Sequence, residues 1–147
     1  MRVLGIDYGD SRVGVAITDA LGITAQGLET IHHGGNDKIV LKRLEEIINE
    51  YDVGIVAIGM PLNMNGTKAE RVEVTEKFIN KLKCKFGNKL KIERIDERLT
   101  TVEAHKTMNF LNVNKYKKRD IVDTISAVYI LETYLRKNNN WKEINNE

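Results

Sequence analysis

Apolar positions come in short alternating or continuous runs, separated by glycine-bearing turns and by stretches with helical spacing. Arg2–Tyr8 and Val13–Thr18 read as two strands around the turn Gly9-Asp10-Ser11, and Gly27–His32 as a third before Gly34-Gly35. Their close spacing predicts an antiparallel meander. Ile39, Leu41, Leu44, Ile47 and Ile48 then recur at helical intervals, behind Asn36 or Asp37 as a cap, to about Tyr51. Val53–Met60 is nearly continuous in apolar residues, the pattern of a strand covered on both faces. Thr67 with Glu70 has the spacing of a capping box and opens a helix to about Cys84. Lys91–Asp96 forms a fifth strand, and Thr100 with Glu103 opens a short helix. Asn109–Lys118 lacks apolar periodicity and reads as a loop; a last helix runs from Asp120 to Lys137, before a flexible tail, Asn138–Glu147. The expected fold class is α/β: one domain over 1–137, with a mixed five-stranded sheet and helices on its faces.

Composition adds limits. The chain has 147 residues, enough for one core without covalent staples, and 41% hydrophobic with 30% charged residues suits a globular protein. The only cysteine, Cys84, has no internal disulfide partner. No stretch resembles a membrane span or a secretory signal, so the expected location is cytoplasmic. Charge is uneven: residues 1–76 hold 7 Lys/Arg against 12 Asp/Glu, whereas residues 77–147 hold 16 against 9. A basic half suits a polyanionic partner, because phosphate binding releases counterions, although a solvated lysine-rich surface has the same composition.

Three acids stand out by position. Asp7 closes the first strand, Glu97 follows the fifth, and Asp123 falls in the first turn of the last predicted helix. If strands one and five end together and the last helix packs there, three carboxylates converge. Such a group is stable only around cations, and hard oxygen ligands fit Mg²⁺ or Mn²⁺. The alternative is a cap, a surface acid and an aspartate favoured by a helix dipole. Asp120 reads as a helix cap, with an outer metal ligand as its second reading. Gly9 suits a turn that needs positive φ or a close approach. Arg98, Lys115, Lys117, Lys118 and Arg119 flank the acids and could neutralise a phosphate backbone. Phosphate-loop and dinucleotide fingerprints are missing, as is any spaced Cys/His set for zinc.

Four segments in order resemble the YqgF/RuvX family of RNase H-like nucleases. They are Gly5-Ile6-Asp7-Tyr8-Gly9 with Arg12–Ala16; Gly59–Asn63 with Asn65-Gly66-Thr67; Asp96–Thr101 with Glu103-Ala104; and Val122-Asp123 with Ala127 and Ile130-Leu131. Ser126 departs from the alanine more common there. The resemblance implies an RNase H-like fold, a metal-dependent nuclease site at Asp7, Glu97 and Asp123, and a role in maturing the 5′ end of the 16S ribosomal RNA precursor. Members have also been regarded as Holliday junction resolvases, an activity on four-way DNA that would require a homodimer. A non-catalytic RNA-binding module of ribosome assembly is the alternative from another class.

Overall fold

Strand β1 (Arg2–Tyr8) lies near the centre of a single sheet in which β2 (Arg12–Thr18) and β3 (Ala25–His32) follow on one side. On its other side come β4 (Val53–Met60) and β5 (Lys91–Asp96), giving the order β3-β2-β1-β4-β5. The first three strands pair antiparallel, whereas β4 runs parallel to β1 and β5 parallel to β4. The computed structural model describes residues 1–61, 69–96 and 115–145. Helix α1 (Asp37–Tyr51) links β3 to β4, α2 (Ala69–Phe86) precedes β5, and α3 is Lys115–Asn145. No described helix is long and apolar enough to cross a membrane.

Strand alternation sorts the core into two layers. Leu4, Ile6 and Tyr8 of β1 face α1 and α2, where they meet Leu44, Ile47 and Phe78. Val3 of β1 and Ala16 of β2 face the other way, toward Ala127, Ile130 and Leu131 of α3. Glycines and alanines on the sheet side of the second layer let α3 sit close. A Cβ on Gly5 would lie 2.7 Å from the Ala127 carbonyl oxygen, and one on Gly14 would run into the Asp123 carbonyl. Glycine is therefore required at these positions by the approach of a helix backbone, without any unusual φ.

The predicted strands form, and β1, β4 and β5 have the predicted limits. Asn36 caps α1 by accepting a hydrogen bond from the Lys38 amide, and Asp52 ends the helix in the left-handed region at φ 54°. The inward face of α1 is rotated from the expected one: Val40 is buried and Ile39 is exposed. Asn109–Lys118 is not a loop throughout, because α3 already includes Lys115–Lys118. At the other end its backbone stays helical to Asn145, beyond the Lys137 limit read from the sequence. The capping pairs Thr67–Glu70 and Thr100–Glu103 involve residues outside the described ones.

Candidate active site

Asp7 and Gly14 are register partners in the β1–β2 ladder, and directly paired residues project to the same face. That face is the one covered by α3, whose backbone at Asp123 touches Gly14. The carboxylate exported from β1 and the one carried by α3 are thus brought to one place by a glycine contact. A cavity of about 290 Å³ opens there, lined by Asp7, Gly9, Asp10, Ser11, Arg12, Arg71 and Asp123. The β1–β2 turn that forms its wall is tight: the Gly9 amide donates to the Arg12 carbonyl at 2.8 Å. A Cβ on Gly9 would lie 2.7 Å from that same carbonyl oxygen, so close approach, rather than positive φ, is what glycine serves here.

His33 holds the turn from outside. Its Nε2–H donates to the Gly9 carbonyl at 2.9 Å, while Nδ1 accepts from the Gly35 amide at 3.0 Å. These partners select the neutral tautomer with the proton on Nε2. The Tyr8 ring, next to Asp7 in sequence, is stacked between His33 and Phe78. Its hydroxyl donates to Asp37 at 2.6 Å, and burial followed by that carboxylate pushes the phenol well above its ordinary range.

Two arginines enter the cavity. Arg12 Nε donates to Asp123 Oδ2 at 2.7 Å, and Arg71 makes an exposed ion pair with Asp10 at 3.0 Å. Burial raises the Asp123 carboxyl above the usual carboxylate range, and the opposing bond from Arg12 does not fully offset it. A second positive charge would therefore be favourable at this carboxylate. Asp7 and Asp123 offer hard oxygen donors to the cavity, fitting Mg²⁺ or Mn²⁺ in chemistry, while the third acid of its lining, Asp10, is paired with Arg71. Among the described residues, no group of three His, Cys, Asp or Glu side chains could hold a metal ion.

The sequence-predicted residues divide as follows. Asp7 and Asp123 share the cavity, whereas Glu97 and Arg98 lie outside the described residues. Asp123 is not in the first turn of its helix, since α3 begins at Lys115, and the dipole reading of that residue falls. For the same reason Asp120 is not a cap. Its carboxylate meets His32 Nε2 at 3.2 Å, and its carbonyl accepts from Thr30 and Thr124, fastening α3 to β3. Lys115, Lys117, Lys118 and Arg119 lie on the helical backbone that leads to Asp123, not on a loop. Arg12 and Arg71 had no role assigned from sequence. Arg12 stood in plain view beside the β1–β2 turn, but nothing local links Arg71, on the second helix, to that turn.

The profile of a family described as "RuvX: Holliday junction resolvase" matches residues 1–137. A relative from Ruminiclostridium cellulolyticum, named "Putative pre-16S rRNA nuclease", is 58% identical over 135 residues, covering 92% of this chain and 94% of the relative. A relative of the same name from Acetivibrio thermocellus is 50% identical, covering 92% of this chain and 95% of its own. Among solved structures, Thermus thermophilus RuvC in complex with Holliday junction substrate superposes with a TM-score of 0.57 at 15% identity, covering 93% of this chain and 96% of that one. The fowlpox virus resolvase with Holliday junction DNA gives 0.56 at 14% identity, covering 94% and 99%. These two likenesses concern the fold, and they bear out its RNase H-like class.

Proposed function

Because this chain belongs to the RuvX family, we propose that it is a metal-dependent nuclease hydrolysing phosphodiester bonds at the 5′ end of the 16S rRNA precursor. The observation that carries this reading is the meeting of Asp7 and Asp123, from β1 and α3, on one cavity. Glu97, which directly follows the last residue of β5, is the third carboxylate of the proposed ligand set. β5 runs parallel to β4 and β4 to β1, so the chain leaves β5 at the end of the sheet where Asp7 stands. Asp7, Glu97 and Asp123 would hold Mg²⁺ or Mn²⁺, with Asp120 as a candidate outer ligand. Bound divalent cations supply a nucleophilic water and stabilise the leaving oxygen.

The chain's own residues do the rest. The Gly9 turn and the α3 contact fix the two carboxylates on rigid elements, which limits the reorganisation needed at the moment of reaction. Arg71 presents an exposed guanidinium at the cavity, suited to a phosphate oxygen once it exchanges its ion pair with Asp10. Arg98, Lys115, Lys117, Lys118 and Arg119 would neutralise neighbouring phosphates and make binding salt-dependent.

A second reading is favoured by the family's description and by the folds it shares with junction resolvases. On that reading the protein cuts four-way DNA as a homodimer. Incubation with precursor rRNA and with a four-way junction, each with Mg²⁺ or Mn²⁺, separates the two. Metal-dependent cleavage of the precursor in preference to the junction is expected. Preferential cutting of the junction by a stable dimer would overturn the rRNA assignment. Binding of precursor with no turnover under any metal would leave a non-catalytic assembly module.

A further inference from the structure

The ion pair between Arg12 and Asp123 poses a conflict that the proposed chemistry has to resolve. Asp123 is offered as a metal ligand, yet its Oδ2 already accepts the Arg12 Nε–H at 2.7 Å. Asp123 cannot withdraw to free itself. Its backbone rests on Gly14, and at the next residue the Thr124 hydroxyl is tied to β3 through Thr30. A Cβ on Gly27 would likewise run into the Thr124 methyl, so α3 is seated against two strands at this height. Arg12 is the more mobile partner: it is the first residue of β2, with a long side chain that is 31% exposed against 19% for Asp123. Both line the same cavity, so a guanidinium released from Asp123 remains at the site.

We infer that Arg12 is a built-in counter-ion for Asp123, occupying the oxygen that a divalent cation would otherwise hold and yielding it on cation binding. This rests on the metal-dependent reading given above. In the metal-free protein Arg12 neutralises a carboxylate that burial makes costly to leave alone, and keeps it pointing into the cavity. When Arg12 lets go, its five donors are free for a phosphate oxygen of the nucleic acid in the same cavity. Arg12 thereby couples the two occupants: it opposes cation binding while substrate is absent, and substrate phosphate removes that opposition. Arg71 does not share this role, because its partner is Asp10.

The test is calorimetric titration of Mn²⁺ into the full chain and into Arg12→Gln, Arg12→Lys and Arg71→Gln variants, without nucleic acid. A charged hydrogen bond given up by the wild type should make Arg12→Gln bind Mn²⁺ roughly tenfold more tightly. Arg12→Lys, which keeps the charge without the fixed fork, should fall between the two, and it serves as the measurement if the glutamine variant is poorly folded. Arg71→Gln should shift the affinity much less. With Asp123→Asn as the background, Arg12→Gln should change nothing. Equal or weaker Mn²⁺ binding by Arg12→Gln overturns the inference, as does an equal gain from Arg71→Gln, which would mean only a general loss of positive field. Failure of every protein, wild type included, to bind Mn²⁺ overturns the metal-dependent reading itself, and the inference with it.

Discussion

Replacing Gly14 by alanine tests the contact that joins fold to site. The atoms that a new Cβ would meet are the Asp123 carbonyl oxygen, its carbon and the Asp123 Cα, all backbone, so no side-chain rotation can relieve the clash. The strand and the helix must part by ~1 Å to restore ordinary van der Waals spacing. Overpacking of this kind costs about 2–3 kcal/mol, the upper part of the usual range, because nothing soft gives way. For a domain of this size each kcal/mol moves the melting temperature by ~3 °C, so a fall of roughly 6–9 °C is expected. The same movement separates Asp123 from Asp7, and a displacement of ~1 Å at a reacting centre can cost on the order of a hundredfold in rate. Gly54→Ala is the matched control. There the new Cβ meets only the end of the Met1 side chain, on a residue that is 75% exposed and free to swing aside. It should melt within ~2 °C of wild type. Calorimetric melting and metal-dependent cleavage would be measured on both. A Gly14→Ala protein that melts and cleaves like Gly54→Ala would refute the claim that this contact places Asp123.

Two further perturbations probe the supports of the β1–β2 turn. Burial raises the Asp37 carboxyl, but hydrogen bonds from Lys81 at 2.8 Å and Tyr8 at 2.6 Å outweigh it and leave the group below its ordinary range. The native state thus binds this proton less tightly than the unfolded chain, so the stabilisation is present above the unfolded carboxylate range, near pH 4, and is lost as pH falls through the lower native value. With Lys81 half exposed, Asp37→Asn should cost about 1 kcal/mol in urea unfolding at pH 7 and markedly less near pH 3; an equal cost at both would contradict the linkage. His33→Phe keeps an aromatic ring beside Tyr8 but leaves the Gly9 carbonyl and the Gly35 amide without their partner. It should cost about 1–3 kcal/mol by the same measurement, and a neutral outcome would show that the histidine does not brace the turn.

The sheet was legible because its strands carry their own pattern. β1 alternates between two covered faces and β4 is apolar throughout, and both were delimited by turn residues or charges that cannot continue a strand. Asp7 was legible for the converse reason: an acid closing an apolar strand is costly unless something holds it. The start of α3 was not legible, since Lys115–Arg119 has neither apolar periodicity nor a cap and is helical only as the continuation of a helix docked further along. The face of α1 slipped because Ile39 and Val40 fit helical spacing about equally well, and only packing against the sheet chooses Val40. Arg12 and Arg71 were missed as site residues because their roles depend on partners far away in sequence, Asp123 and Asp10, and no local pattern records such pairs.

The central claim is that Asp7 is a metal-binding carboxylate of a nuclease. The direct measurement is cleavage of precursor rRNA by Asp7→Asn beside wild type, over a range of Mg²⁺ and Mn²⁺ concentrations. Unfolding by urea is followed on the same preparations. The asparagine side chain is nearly the same shape, so stability should hold to within ~1 kcal/mol, while metal-dependent cleavage should disappear. Cleavage at the wild-type rate by a folded, contaminant-free Asp7→Asn protein would contradict the account.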